Sequence, residues 1–285
     1  MKLPLPTIPL SKGSALPKTT GPVDAVLVSV VVALVAFGVV MVYSASAVYA
    51  NRMFEDGNHY LVRQSVFAAV ALPLMWLASS IDYHRIRLFT YPILVVTVGL
   101  LLYVAVGFGR TAGGASRWIS VGSFNIQPSE IAKVAIIIWL AYSLSKKRDR
   151  IRSFSVGFLP HVLMAGFLMV LCLKQPDFGS AVMIGLLTFV LLFTAGSRIG
   201  YLLGAILATL PILVLLVVTS EYRLRRVQAF LNPEADRMNS TYQIYESLVS
   251  FGSGGVFGVG IGDSRQKLFF LPEAHTDFIS AIVGE

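Results

Sequence analysis

The sequence predicts an all-α polytopic membrane protein: a helical bundle with about seven complete spans, the start of an eighth and a cytoplasmic N-terminus. Three observations lead there. Hydrophobic residues make up 55% of the 285 and charged residues only 13%, where a soluble chain carries about 25% charge. The mean hydropathy is +0.73. The apolar residues also fall into separate runs, most near the roughly 20 residues a helix needs to cross the hydrocarbon core.

Taken in order, residues 1–22 are polar, hold Pro, Ser, Thr and Lys, and read as a flexible cytoplasmic tail. The apolar run behind them is too long for a cleavable signal peptide and has no small-residue cleavage site. Residues 23–285 then read as one transmembrane domain. Spans are expected near 23–47, 60–79, 86–108, 128–144, 154–173, 179–195 and 199–220, with an eighth opening at Asp277 or Phe278. The sixth is short and contains glycine. The chain stops inside the eighth, which leads to the expectation of a chain truncated at its C-terminus.

Lysine and arginine set the orientation. With the N-terminus inside, the inner side collects Lys2, Lys12, Lys18, Arg85, Arg87, Lys146, Lys147, Arg148, Arg150, Arg152 and Arg198. The short outer loops hold only Arg52, Arg110, Arg117 and Lys174. The long segment 221–276 is then extracytoplasmic. So are 110–127 and 174–177, which places any active site on the outer face. The formal charge of +8 belongs to this loop asymmetry and is no sign of a nucleic-acid partner. A single cysteine, Cys172, rules out an intrachain disulfide and a Cys-based metal site. Four histidines without paired spacing argue against a His-based one.

The chemistry-bearing residues cluster at the starts of the outer-facing helices. Pro128 suits a first helical turn, and Glu130 and Lys133, three apart, share a face there with Gln127 and Ser129 close by. They read either as an ion pair that makes two membrane charges tolerable or as the polar wall of a cavity. Asp177 is either the N-cap of the sixth span or a catalytic acid. Arg63 can reach a phosphate or snorkel to headgroups, and Trp118 reads as an interface anchor. Arg223, Arg225, Arg226, Arg237, Arg265 and Lys267 make the outer segment basic, suited to a lipid headgroup or pyrophosphate. The glycines between Gly252 and Gly262 lack a following Gly-Lys-Ser/Thr, so they read as a tightly packed or re-entrant segment close to the membrane surface rather than a phosphate loop. Asp277 stands at the lip of an apolar run after His275 and Thr276. Partial desolvation against nearby cations can poise such a carboxylate as a general base; its structural alternative is an N-cap.

Several of these motifs together carry a resemblance. Leu271-Pro-Glu-Ala-His-Thr-Asp-Phe-Ile, Lys174-Gln-Pro-Asp-Phe-Gly-Ser, Gln127-Pro-Ser-Glu-Ile-Ala-Lys, Phe230-Leu-Asn-Pro-Glu-Ala-Asp, Tyr242-Gln-Ile and Met41-Val-Tyr-Ser-Ala-Ser resemble the SEDS family (shape, elongation, division and sporulation). Gln266-Lys267-Leu268 resembles its cell-division branch. The resemblance implies a ten-span peptidoglycan glycosyltransferase of the bacterial cytoplasmic membrane, acting at the division septum on the extracytoplasmic side. It implies lipid II as substrate, a class B penicillin-binding protein and other division proteins as partners. The catalytic carboxylate falls on Asp277, the cavity pair on Glu130 and Lys133, and the outer acid on Asp177. Ser280, Glu246 and Thr241 depart from the family's usual residues without touching that set. The mechanism expected of these residues is an inverting transfer with Asp277 as base and Lys133 and Arg63 at the leaving pyrophosphate, with or without a Mg or Mn ion. Gln127, Ser129, Gln243, Lys267, His275 and Thr276 are further substrate-binding candidates. A lipid II flippase and a non-catalytic division scaffold are the alternatives. For the chain as given, the missing spans lead to an expectation of impaired activity.

Overall fold

A computed structural model describes residues 23–112, 115–122, 124–234, 241–260, 262–264, 266, 271 and 274–285. The expected tail 1–22 lies outside them. Helix α1 (Ala25–Phe54) starts where the Asp24 side chain accepts from the backbone N–H groups of Val26 and Leu27, satisfying two of the donors that every helix start leaves open. It ends at Glu55 in a left-handed conformation. Helix α2 (His59–Ser79) follows. After a short α3 (Tyr83–Ile86) and a 3₁₀ turn, α4 (Thr90–Tyr103) continues through a π-helical turn to Phe108. Strands β1 (Arg110–Ala112), β2 (Ala115–Val121) and β3 (Phe124–Ile126) come next, then α5 (Pro128–Lys146), α6 (Leu159–Lys174), α7 (Phe178–Thr194) and α8 (Ile199–Val218). The chain closes with α9 (Glu221–Leu231), α10 (Tyr242–Gly254) and α11 (Ile279–Gly284).

Each of the seven expected spans meets a helical segment. Six are long and apolar enough to cross a membrane. The seventh, α7, has 17 residues, about 25 Å of helix, and is short as its sequence suggested. Two outer segments carry structure that the apolar pattern did not reveal. Arg110–Ala112, Ala115–Val121 and Phe124–Ile126 form an antiparallel three-stranded sheet in the order β1-β2-β3, with Arg110 opposite Trp118 and Ile119 opposite Ile126. The all-α class therefore needs this small sheet added. Trp118 belongs to its middle strand. The 221–276 segment holds α9 and α10 rather than running as plain loop.

The chain divides into two compact units, Met75–Asn232 and the remainder, Met1–Leu74 with Pro233–Glu285. In the 75–232 unit the centre is α4–α7, where Leu101, Ile136, Leu140, Leu168, Ile184 and Leu192 are fully buried. Lipid tails are as apolar as leucine, so close packing must supply the association energy. The small residues Ala132, Ala165 and Ala181 are buried in the same cluster and let the helices approach. Half of the most apolar window of α5 is buried but only 6% of that of α8, so within this unit α5 is an inner helix and α8 a peripheral one.

In the other unit, Met41 and Ala45 of α1 form a small core with Leu271, Ala274, Ala281 and Ile282. Of the glycines from 252 to 262, Gly254 is tightly packed, a Cβ there lying 2.1 Å from the Gly284 carbonyl oxygen, whereas Gly252, Gly255 and Gly262 have open space beside them, so the expectation of a tightly packed run holds at Gly254 only. Gly157, before α6 in the 75–232 unit, is equally confined, with a Cβ falling 2.2 Å from the Ile151 carbonyl oxygen and 2.7 Å from that of Arg150. Backbone atoms cannot step aside cheaply, so Gly157→Ala is expected to destabilise the protein by roughly 1–3 kcal/mol. A drop in the thermal unfolding midpoint of the detergent-purified variant checks this; an unchanged midpoint contradicts it.

Candidate active site

In the 75–232 unit the outer ends of α5 and α7 are joined through one carboxylate. Gln127 is extended (φ −101°, ψ 112°) because a residue before proline is pushed from the helical region, and Pro128 then opens α5. Asp177 caps α7, its Oδ1 accepting from the Ser180 N–H at 3.1 Å. Its Oδ2 accepts from Ser129 Oγ at 2.7 Å and from Gln127 Nε2 at 2.9 Å. Ser180 Oγ adds a hydrogen bond to Ser129 Oγ at 3.2 Å. Burial pushes the Asp177 carboxyl up, but the hydrogen bonds from Ser129, Ser180 and Gln127 outweigh it and hold the carboxyl below the ordinary carboxylate range. The N-cap expected for Asp177 is therefore present, and the same carboxylate also fastens the start of α5.

The residues before Asp177 are held as firmly. Gln175, 2% exposed, donates from Nε2 to the Leu101 carbonyl at 2.8 Å, and Arg117 of β2 donates to the carbonyls of Gln175 and Pro176. Neither residue stood out in the sequence. A glutamine before Pro-Asp and an arginine in a short polar loop carry no periodic signal, and their partners are backbone carbonyls far along the chain.

Glu130 and Lys133 form the expected ion pair, Lys133 Nζ to Glu130 Oε1 at 2.8 Å. Their side chains are 60% and 24% exposed, so the pair lies at an open lip. Exposed pairs contribute about 0–1 kcal/mol, so this one adds little to stability. On α9, Arg223 sits over the Phe178 ring at 5.7 Å and donates to the Leu216 carbonyl. Arg225 pairs with Glu221, and Arg226 lies over Tyr222. Part of the basic charge is thus used within α9 and its neighbours. Arg237, Arg265 and Lys267 lie outside the described residues.

In the other unit, the stretch carrying Asp277 is pinned on both sides. Ala274 and His275 are buried before it, and Ala281 and Ile282 after it. The His275 ring stacks on Tyr49 of α1, centroids 4.9 Å apart, and packs against Tyr60 of α2 at 4.7 Å. Thr276 and Asp277 between these anchors are exposed. Asp277 is therefore not partly buried as expected. Nor is it the N-cap of α11: Phe278 holds that position, with no side-chain cap. The structural alternative for Asp277 falls away. Arg63 is one turn along α2 from Tyr60, on the same face, exposed, its guanidinium 5.9 Å from the Phe67 ring centre. Gln243 is exposed on the first turn of α10. Among the described residues no three His, Cys, Asp or Glu side chains are placed to hold a metal ion, so the expected Mg or Mn has no ready-made cage and no catalytic step is assigned to one.

Asp177→Ala is expected to lower stability by roughly 1.5–3 kcal/mol, because it strands buried donors that had a charged partner. The folded-state pKa is depressed, so the contribution is complete above the ordinary value of 3.8 and fades as pH falls through the lower folded value. Melting midpoints of wild type and variant should differ at neutral pH and converge only in strong acid; a constant gap down to pH ~2 contradicts this.

A family model described as that of a cell cycle protein, covering the FtsW, RodA and SpoVE proteins, matches residues 24–285. The probable peptidoglycan glycosyltransferase FtsW of Geobacter metallireducens is 48% identical over 263 residues, 92% of this chain and 70% of that protein. Stage V sporulation protein E of Bacillus subtilis is 42% identical over 272 residues, 94% of this chain and 73% of that protein. A chain of a solved peptidoglycan synthase complex, studied for the coordination of polymerization and crosslinking, superimposes with a TM-score of 0.63 at 28% identity, over 82% of this chain and 66% of that one. With its motifs, its helical spans and a family match along nearly its whole length in agreement, the chain belongs to the FtsW/RodA/SpoVE family of cell cycle proteins, the SEDS family.

Proposed function

We propose that this protein is a peptidoglycan glycosyltransferase that polymerises lipid II on the outer side of the cytoplasmic membrane at the division septum. It would work beside a class B penicillin-binding protein and other division proteins. The observation that carries the reading is the setting of Asp277: an exposed carboxylate with no capping duty, held between buried anchors, in a chain 48% identical to a probable peptidoglycan glycosyltransferase.

In this mechanism Asp277 removes the proton from the 4-hydroxyl of the acceptor's GlcNAc as that oxygen attacks the anomeric carbon of the donor's MurNAc. The bond to undecaprenyl pyrophosphate breaks with inversion, and the pyrophosphate departs with the bonding pair. Cations are needed where that charge develops. Arg63, exposed one turn from the Tyr60–His275 contact, is proposed for this, as is Lys133, which Glu130 positions. Ser129, Gln127 and Asp177 would keep the start of α5 fixed. Gln243, Thr276, Lys267 and His275 remain proposed substrate-binding residues, with His275 also setting the direction of the Asp277 turn. A Mg or Mn ion arriving with the pyrophosphate would neutralise part of the same developing charge.

General base catalysis is worth about 10²–10⁴-fold, so Asp277→Asn in the full-length protein with its partner should lose polymerisation by about that factor while still folding. Near-normal glycan synthesis would overturn the assignment. Tyr60→Ala removes one ring from His275 and should slow polymerisation roughly ten- to a hundredfold, since small misplacements of a catalytic group are costly; Tyr60→Phe should restore most of the rate. A flippase predicts no glycan from lipid II confined to the outer leaflet of a proteoliposome, whereas the polymerase needs no flipping there.

A further inference from the structure

A cavity of about 650 Å³ lies at the other end of α5 from the polar lip, entirely within the 75–232 unit. That is ample for a small-molecule or headgroup site. Its mouth carries Lys146, Lys147 and Arg150 against a single carboxylate, Asp149. None of these four forms an ion pair among the described residues, so the net positive charge is not neutralised within the fold. Part of that charge answers the negative end of the α5 dipole, but Arg150, in the turn beyond, does not. Lys146 lies 5.9 Å from the centre of the Tyr142 ring, which in turn meets Tyr91 edge-on.

The cavity's shape separates a soluble anion from an amphipathic one. Its floor is closed: Leu94, Trp139 and Ser143 are 5%, 7% and 6% exposed, and Ser143 Oγ is hydrogen-bonded to buried His161 at 2.9 Å. Its side wall is open, since Val95 and Tyr91 of α4 are 69% and 55% exposed on a membrane-crossing segment. The cavity thus joins a cationic mouth to an exposed apolar flank on a segment long and apolar enough to cross a membrane. A free phosphate would use the first and gain nothing from the second. The distribution of lysine and arginine puts this end on the cytoplasmic side, where the leaflet carries anionic lipid.

We propose that this cavity binds the phosphate headgroup of an anionic phospholipid of the cytoplasmic leaflet, with an acyl chain along the Val95 and Tyr91 wall. The site depends on the orientation of the protein and not on the activity proposed above.

The test is native mass spectrometry of the purified full-length protein titrated with phosphatidylglycerol, phosphatidylcholine or glycerol 1-phosphate. The expected result is one phosphatidylglycerol retained in preference to phosphatidylcholine, with no retention of glycerol 1-phosphate. Lys146→Gln/Lys147→Gln/Arg150→Gln should weaken that retention at least about tenfold, given the attraction of each cation to anionic lipid. Val95→Trp should weaken it too by narrowing the open wall, with all charges kept. Since Val95 is exposed, that variant should fold even if the triple one does not. Retention unchanged by Val95→Trp would mean adhesion to a charged surface and overturn the cavity assignment. Equal retention of the two phospholipids, or retention of glycerol 1-phosphate, would overturn the anionic phospholipid.

Discussion

A buried carboxylate holds the outer end of the 75–232 unit together. Asp177 accepts from two side chains and one backbone N–H, and each solves a separate problem. The Ser180 N–H is one of the donors that α7 leaves open at its start. Ser129 and Gln127 belong to the start of α5, so the charge that caps one helix also sets the position of another. Without these donors the ion would be too costly to bury; without the ion, the donors would be stranded. The mutual dependence explains why Gln175 and Arg117 brace the turn just before it through backbone carbonyls, where a change of side chain elsewhere disturbs little.

That fixed rim gives the exposed pair beside it a defined place. Glu130 and Lys133 stand on the first turns of α5, so the anchoring of Ser129 by Asp177 also aims them. A chain of polar contacts thus runs from β2 through the 175–177 turn to the first turns of α5. The Asp277 stretch is held by different means: the rings of Tyr49 and Tyr60 on His275 before it, and Ala281 and Ile282 packed with Met41 and Ala45 after it. Packing leaves the carboxylate outside the anchors. Hydrogen bonding, by contrast, draws Asp177 in. Two acids, each written next to the start of an apolar run, therefore have opposite surroundings.

Much of this was legible residue by residue. The spans followed from apolar length, the α5 start from Pro128, and the Glu130–Lys133 pair from their spacing. Local rules suffice where a helix obeys its own sequence. They did not find the three-stranded sheet, because strands of three to seven residues barely register beside spans of about twenty. Nor did they find α9 and α10 in a segment whose polar residues read as loop. Asp177 and Asp277 looked alike as potential caps, and only the first is one.

The sequence by itself determined that the chain crosses a membrane repeatedly and which family's motifs it carries, and its lysines and arginines set the orientation expected of it. Those properties arise from transfer free energies and charge counts, which add along the chain whatever the packing. Only the tertiary structure decided that Asp177 is buried and shared while Asp277 is exposed and uncapped. It alone paired His275 with two tyrosines more than two hundred residues earlier, and left a basic, side-open cavity at the inner end of α5. Those outcomes depend on which distant groups share a volume. No spacing rule within one helix can encode that.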